Sequence, residues 1–443
     1  MAKARPFSPD RGSLLPSRAL AIRLHPPGER AIREGHPWVF DGSIRSVDAA
    51  GPPPQAGDVG VVFDRKGRFL AVGLYDPDDP IRLRILHAGS PRKVGAEFFA
   101  QRLRSAMERR APLLRNGSRE RGYSETNGFR VVNGEGDGLP GVVLDRYGES
   151  FVLKLYARSW LARLPELVDA LVQIMAPRSL LGLVSRRLAA DARCPAEMRA
   201  GALLHGSDPG SALPFLENGF HLEAHPLEGH KTGFYLDQRE NRQRVEEEAR
   251  KLAWDHDGLR ILNVFSYSGG FSLYGARGAL RGAGENRHAP VEVTSVDVAG
   301  PALRQAERHF EMNGEQVGRA RHRTLEGDAF RLLGDLDRSG DRFHLVVVDP
   351  PSFATRQDQE AGAIAAYSRL TRAALPLLES GGTLVQASCS SRVSPDSFYR
   401  VIRGEVRRSG RQMDSERRWG HPLDHPVGPP ESEYLKCLFA TIR

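Results

Sequence analysis

Leu345-Val346-Val347-Val348 runs directly into Asp349-Pro350-Pro351-Ser352-Phe353. A valine-rich apolar run of this length predicts a buried parallel strand. In open α/β sheets, ligands lie just beyond the carboxyl ends of such strands. Proline fixes φ and restricts the residue before it, so an acid followed by two prolines makes a stiff turn. Asp349 is thereby held where a ligand would lie, and Phe353 offers a flat surface to a planar ring. The alternative is a strand followed by an ordinary Asp-Pro loop. Residues elsewhere in the chain decide between the two.

Outward from this stretch, strand and helix patterns alternate from residue 219 onward. Strands are expected at 261–265, 291–296, 322–326, 343–348, 383–388 and 434–442. Helices are expected at 238–254, 270–279, 301–313 and 367–378, with a further one around 398–403. Gly381-Gly382 reads as the stop of the 367–378 helix. Such alternation implies an α/β fold with a doubly wound, Rossmann-like sheet over 219–443.

Residues 19–92 read instead as short strands, at 19–22, 59–63, 69–75 and 81–86, forming a small β-barrel. Arg23, Arg30, Arg33, Arg82 and Arg84 decorate it. Residues 93–218 read as a small α+β middle domain, with helices at 96–114 and 161–175 and an irregular polar stretch at 191–210. Residues 1–18, with Lys3, Arg5, Arg11 and Arg18, read as a disordered basic arm. Trp38 and Phe40 are expected in a core, although aromatics beside Arg33 and His36 also suit base stacking. Glu246-Glu247-Glu248 reads as a solvated helix face.

The chain has 443 residues, 40% hydrophobic and 27% charged, which fits a folded protein of two or three domains. No apolar run approaches the roughly 18 residues of a membrane span, and the start lacks a secretory pattern, so a cytoplasmic protein without membrane contact is expected. Cys194, Cys389 and Cys437 are too few and too scattered for a disulfide framework or a zinc site. His221, His225 and His230, like His421 and His425, lack a metal-site pattern, so no metal is expected. The net charge of +8, mostly arginine on the basic side, suits a polyanion such as nucleic acid. The oligomeric state is left between monomer and homodimer.

The cofactor signal lies at four successive strand ends. Asn263-Val264-Phe265 leads into Ser266-Tyr267-Ser268-Gly269-Gly270-Phe271, a small-residue turn where backbone can approach a ligand. The next strand ends at Asp297, placed to bind both hydroxyls of a ribose. The third is followed by Gly327-Asp328, and the fourth ends at Asp349. One such acid is commonly a helix cap, but the ordered set fits an adenosyl ligand. Neither G-x-G-x-x-G nor a P-loop motif follows a strand here, which disfavours a dehydrogenase and an NTPase.

On these residues the C-terminal half resembles a class I S-adenosylmethionine-dependent methyltransferase. More narrowly, it resembles the bacterial family that methylates carbon 5 of a cytosine in large-subunit (23S) ribosomal RNA. The likeness also rests on the run from His230 through Lys231-Thr232-Gly233-Phe234-Tyr235-Leu236-Asp237 to Gln238-Arg239, on Ser388-Cys389-Ser390, and on Asp424-His425-Pro426-Val427 with Tyr434-Leu435-Lys436. Glu135-Gly136-Asp137-Gly138-Leu139-Pro140-Gly141 extends it into the middle domain, and the barrel is similar to a PUA module. The resemblance implies S-adenosylmethionine as cofactor, held by Asn263, Phe265, Ser266, Tyr267, Ser268, Gly269, Gly270, Phe271, Asp297, Asp328, Asp349 and Pro350, with Gln238 and Arg239 beside the cleft. It implies ribosomal RNA as partner, and Pro351 and Phe353 against the target base.

Cys389 follows an expected strand end on the same edge as Asp349. Methylating C5 of cytosine needs a thiolate at C6 to push electron density onto C5, which makes Cys389 the candidate nucleophile and Asp349 the base-orienting acid. Cys194 and Cys437 read as small buried residues. Many RNA cytosine-C5 methyltransferases carry a second cysteine after the proline of this turn; here Ser352 stands there, as in the resembled family, so release relies on another base, water or Asp349. The rivals are a methyltransferase acting on a base nitrogen and a non-catalytic RNA-binding assembly factor.

Overall fold

In the computed structural model, which describes residues 4–7, 18–49, 51–115, 125–229, 231–283, 289–353 and 359–443, the apolar run lies in the strand Phe343–Val348. This strand, β4, sits in a seven-stranded sheet. Its companions are β1 (Leu259–Val264), β2 (Val291–Asp297), β3 (Arg321–Glu326), β5 (Leu378–Ser388), β6 (Met413–Trp419) and β7 (Lys436–Ile442). The order is β3-β2-β1-β4-β5-β7-β6. The first five are parallel, and β7 runs antiparallel to both β5 and β6. The order reverses between β1 and β4, where open α/β sheets form their ligand crevice.

Helices α1 (Arg239–Asp255), α2 (Gly270–Gly282), α3 (Gly300–Met312), α4 (Ala329–Arg338), α5 (Glu360–Ala374) and α6 (Pro395–Arg408) accompany the sheet. α5 buries Ala363, Tyr367, Leu370, Thr371 and Ala374, the spacing of one apolar stripe. The expected glycine stop is corrected. α5 ends at Ala374, because Pro376 next in line supports only the short 3-10 turn Leu375–Leu377, and Gly381-Gly382 already lies inside β5. β6 was not expected. Its polar sequence Met-Asp-Ser-Glu-Arg-Arg-Trp lacks apolar alternation because it is an edge strand.

The acidic run on α1 is corrected at two of its three residues, Glu247 being exposed as expected. Glu246 is buried and takes two bonds from Arg277, at 2.8 and 2.6 Å, and a third from Arg281. Glu248 is buried too, bonded to Thr383 and to Arg417. Position on a helix face does not reveal that α2 brings arginines to Glu246 and that the edge strand β6 brings one to Glu248.

These elements form one compact unit, Asp237–Pro422 with Glu433–Arg443; the other is Met1–Leu236 with Leu423–Ser432. The second unit holds two six-stranded sheets. One, from Ala19–Leu24, Trp38–Phe40, Ile44–Asp48, Val59–Phe63, Phe69–Tyr75 and Ile81–Ala88, closes around its own core of Leu20, Ile22, Val62 and Leu83. The other joins Gly128–Asn133, Val142–Tyr147, Ser150–Leu155, Ser179–Val184, Ala202–Gly206 and Arg5–Pro6. The hairpin Leu213–Glu217 with Phe220–Ala224 also belongs here; its start lies before residue 219 and its end beyond it.

Three more expectations change. Arg5–Pro6 of the expected arm pairs with Ala202 and Leu203, anchored by the bond from Phe7 N to Leu203 O at 3.1 Å, and Ala4 is buried. Lys3 and Arg11 lie outside the described residues. The stretch 191–210 contains the helix Ala196–Ala200 and the strand Ala202–Gly206, too short to stand out from their polar flanks. Trp38 is only half-buried, donating Nε1 to Glu135, and Phe40 is 46% exposed, so neither is a core residue in full.

This unit is tied by a buried ion network. Arg110, fully buried, grips Asp137 with two bonds of 2.6 and 2.7 Å and reaches the Asp424 carbonyl at 2.7 Å. Asp424 accepts from Arg130 N at 2.9 Å, and the Arg130 guanidinium pairs with Asp145 at 2.8 and 2.9 Å. Thr232 donates to the same Asp145 and meets the Tyr147 hydroxyl. Three of the motif segments that carried the resemblance, around Asp137, Thr232 and Asp424, are therefore structural parts of one network.

Candidate active site

β1 leaves the sheet at Val264 and enters the turn 265–269. Phe265 and Tyr267 both adopt left-handed φ, +60° and +47°, and Gly269 at +75° precedes α2. Each non-glycine residue there costs about 1–2 kcal/mol, a strain that clusters at functional sites. Hydrogen bonds hold the turn: Ser266 N to Val296 O at 2.9 Å, Gly269 N to Ser266 O at 2.9 Å, and Tyr267 N to Asp297 Oδ2 at 2.8 Å. A Cβ on Gly270 would come within 2.8 Å of the Arg242 side chain.

Asn263 is fully buried and donates Nδ2 to Ser272 Oγ at 2.9 Å, bracing strand against helix. Its Oδ1 and the Ser266 Oγ are buried without a partner. Ser268 and Phe271 are buried as well. Strained backbone and orphaned polar atoms at a strand–helix junction fit an adenosyl ligand.

Asp297 ends β2 with both carboxylate oxygens fixed, one by Tyr267 N and the other by Ala299 N at 2.9 Å. Asp328 is exposed and caps α4, accepting from Arg331 N at 3.0 Å. Capping occupies only one of its oxygens. Asp349 N bonds Val264 O at 3.3 Å, which stitches the β4 turn to the end of β1. Its Oδ2 accepts from Gln238 Nε2 at 3.0 Å, and the Gln238 Oε1 accepts from Asn241 at 2.7 Å. Gln238 and Arg239 are both buried at the start of α1. A chain of bonds thus fixes the Asp349 carboxylate.

Cys389 follows β5 directly and is partly exposed, with Sγ 3.8 Å from the Pro350 carbonyl. Pro350 is buried, Pro351 is exposed, and the Phe353 ring is partly buried, edge-on to Tyr367 at 5.2 Å between centroids. Part of the Phe353 surface is therefore committed to packing. The Tyr367 hydroxyl bonds Ser388 Oγ at 2.7 Å, and burial, with the charges of Cys389 and Asp349 adding, pushes its pKa up to about 12.

Lys436 is the residue whose part the sequence hid. It pairs with Ser388 across β5 and β7, and its buried ammonium donates to the carbonyls of Ser390 and Val393. Burial holds its pKa down to about 8, against the pull of Glu433 and of Cys389. The sequence showed Lys436 in a closing strand and in a segment of the family resemblance, without a role; the antiparallel register that brings it beside the cysteine is not a local signal. Cys437, one residue on, is fully buried, and its thiol is pushed well up by burial and then by Asp349. Cys194 is buried also.

The histidines are structural where described. His421 Nε2 accepts from Tyr434 N and Leu435 N at 3.1 Å each, and buried His425 pairs with Asp424. His230 lies outside the described residues. Among the described residues no group of three or more His, Cys, Asp or Glu side chains is placed to hold a metal ion, and no helix is long and apolar enough to cross a membrane.

Residues 22–88 match a PUA-like domain, and residues 184–439 match the S-adenosylmethionine-dependent methyltransferase family. A protein from Deinococcus radiodurans named ribosomal RNA large subunit methyltransferase is 42% identical, over 95% of this chain and 97% of its own length. One from Shewanella denitrificans, named ribosomal RNA large subunit methyltransferase I, is 33% identical over 96% and 100% of the two chains. Among solved structures, SMU.776, described as a candidate methyltransferase complexed with SAH, aligns with a TM-score of 0.73 over 96% of this chain and 100% of that one, at 20% identity. Sheet order, strained turn and sequence kinship agree: the chain belongs to the S-adenosylmethionine-dependent methyltransferase family, uses that cofactor, and carries a PUA-like domain N-terminal to it.

Proposed function

We propose that this protein methylates carbon 5 of a cytosine in large-subunit ribosomal RNA, with Cys389 as covalent nucleophile. The observation that carries the reading is the partly exposed Cys389 thiol at the end of β5, beside the Asp349-Pro350 turn and the Lys436 ammonium. The names of the full-length relatives support the RNA class.

The turn 265–271 and Asp297 hold the methionine and ribose parts of the cofactor, and Asp328 faces the adenine. When bound, S-adenosylmethionine supplies an electrophilic methyl group on a sulfonium. The target base leaves its stack to enter the cleft. Asp349, held by Gln238, accepts a hydrogen bond from the cytosine amino group and orients C6 toward Cys389. The thiolate adds to C6 and places electron density on C5, which a pyrimidine carbon otherwise lacks. Once C5 is substituted its proton passes to water or to Asp349, the C–H electron pair re-forms the C5–C6 double bond, the C6–Sγ bond breaks, and Cys389 is returned as thiolate. A methyltransferase acting on a ring nitrogen has no use for this cysteine.

The deciding measurement is nucleoside mass spectrometry of a large-subunit rRNA transcript after incubation with the protein and isotopically labelled cofactor. Labelled 5-methylcytidine is the expected product; a methylated base nitrogen would overturn the carbon reading.

Lys436 gives a second check. A nearby cation lowers a thiol pKa, and this one is charged below about pH 8. Lys436→Met should raise the Cys389 thiol pKa, read as a shift of its alkylation profile to higher pH. An unshifted alkylation profile would remove Lys436 from the account.

A further inference from the structure

We propose that the unit Met1–Leu236 carries a phosphate cradle for the RNA backbone, built from Lys154, Arg186, Arg199 and Lys231. The proposal rests on the RNA substrate read above and adds a binding site to it, remote in sequence from the chemistry.

A cavity of about 180 Å³ opens in this unit, and among the described residues these four cations are the charged side chains on its wall. They come from four separate elements. Lys154 lies on the strand Ser150–Leu155, Arg186 opens the helix Arg186–Ala189, Arg199 lies in Ala196–Ala200, and Lys231 follows the hairpin. Lys154 forms the half-buried part of the wall, with Nζ donating to the Lys231 carbonyl at 2.6 Å. Burial lowers its ammonium pKa, and Arg130, Arg186 and Lys231 lower it further, with Asp145 alone opposing. Like charges crowded into a partly desolvated site are relieved by an anion.

The cavity next along the same helix provides the contrast. There Arg158, Arg187 and Arg193 face Asp76, Asp78, Asp79 and Asp191, and the charges are matched internally, as in Arg158–Asp76 and Arg193–Asp78 at 2.5 Å each. Arg187 reaches Asp79 at 3.7 Å, whereas its neighbour Arg186 has no carboxylate partner among the described residues. Arg199 donates to the main-chain carbonyls of Asp191 and Ala192 and lies against the Cys194 thiol, with no carboxylate partner among the described residues. Around the neighbouring cavity the arginines are matched by carboxylates, whereas Arg186 and Arg199 have no carboxylate partner among the described residues.

The backbone is also shaped for the site. Lys231 sits in the left-handed region at φ +55°, and Gly201 at φ +94° leaves no room for a Cβ, which would meet Leu227 at 2.3 Å. The chain accepts strain to bring Lys231 and the 199–201 corner together. A volume of this size admits one phosphate group with some water. Two exposed arginines offer planar forks to its oxygens and the half-buried lysine a point charge. An exposed rim with one deeper cation suits a polymer that passes by and seats a single phosphate, rather than a small anion enclosed on all sides.

The test uses the full chain and a fluorescent large-subunit rRNA fragment, with binding followed by anisotropy between roughly 50 and 200 mM salt. The double variant Arg186→Gln/Arg199→Gln should bind about tenfold or more weakly. Its plot of log K against log salt should be shallower by about two phosphate contacts. Arg187→Gln, whose charge is already matched, should behave as wild type. Unchanged affinity and slope in the double variant, with unchanged cofactor affinity as the fold control, would overturn the cradle. So would inorganic phosphate raising the melting temperature of wild type but not of the double variant while RNA binding stays equal, which marks a small-anion site. Weakened RNA binding by the double variant alongside a wild type that methylates no large-subunit rRNA supports the cradle and removes the proposed substrate instead.

Discussion

Cys389→Ala is expected to reduce methyl transfer by more than about a thousandfold while leaving cofactor affinity within about twofold. The cofactor groups proposed above, the 265–271 turn with Asp297 and Asp328, do not depend on Sγ, whose described hydrogen bond is to the Pro350 carbonyl. Loss of the thiol removes the only described route to electron density at C5. A complementary result should come from RNA carrying 5-fluorocytosine at the target. Fluorine cannot leave as the proton does, so wild type should accumulate a covalent protein–RNA complex that survives denaturing electrophoresis. Cys389→Ala should form none. Substantial transfer by Cys389→Ala, or an active wild type that never forms the adduct, would sink the covalent mechanism and favour a nitrogen target.

Asp137→Ala should destabilise the unit that contains it by roughly 3–5 kcal/mol, because it leaves the Arg110 guanidinium buried without its carboxylate. Asp137 also receives Asn133 N at 2.6 Å and pairs with Arg109 at 3.0 Å, so several donors lose their acceptor together. Set against a whole-domain stability of about 5–15 kcal/mol, such a loss approaches unfolding. Denaturant titration followed by fluorescence reports it through Trp160, which is fully buried in this unit's core. The double variant Arg110→Met/Asp137→Leu should recover much of the loss, since it buries no lone charge. A cost below about 1 kcal/mol for Asp137→Ala would mean that water reaches Arg110 and the network is not closed.

How much of this was legible in the sequence depended on how local the signal was. The buried parallel strands announced themselves as valine-rich runs, and each acid at a strand end was placed by the strand before it. Asp297 and Asp349 could be located this way because a strand end is a position along the chain. Lys436 beside Cys389 could not, because it needs the antiparallel register of β5 and β7. The same limit explains Glu246 and Glu248, polar in sequence yet buried because arginines from α2 and β6 close over them. It also explains the short elements at 196–206, whose polar composition hides their pairing. Asp137, Thr232 and Asp424 stood out as motif residues, but nothing in the motifs said that they would meet in one network.

That network has a consequence for the order in which the chain is made. Arg110 and Asp424, which bond directly, are separated by 314 residues. Leu423–Ser432 belongs to the unit of Met1–Leu236 although the residues before and after it belong to the methyltransferase sheet's unit. During synthesis the first 236 residues emerge with Arg110 and Asp137 already in place but without the Asp424 carbonyl or the carboxylate that accepts Arg130 N. The N-terminal unit therefore completes its ion network only after Leu423–Ser432 has been translated. A nascent chain halted before residue 423 should be more open to protease around the strand Gly128–Asn133 than the finished protein.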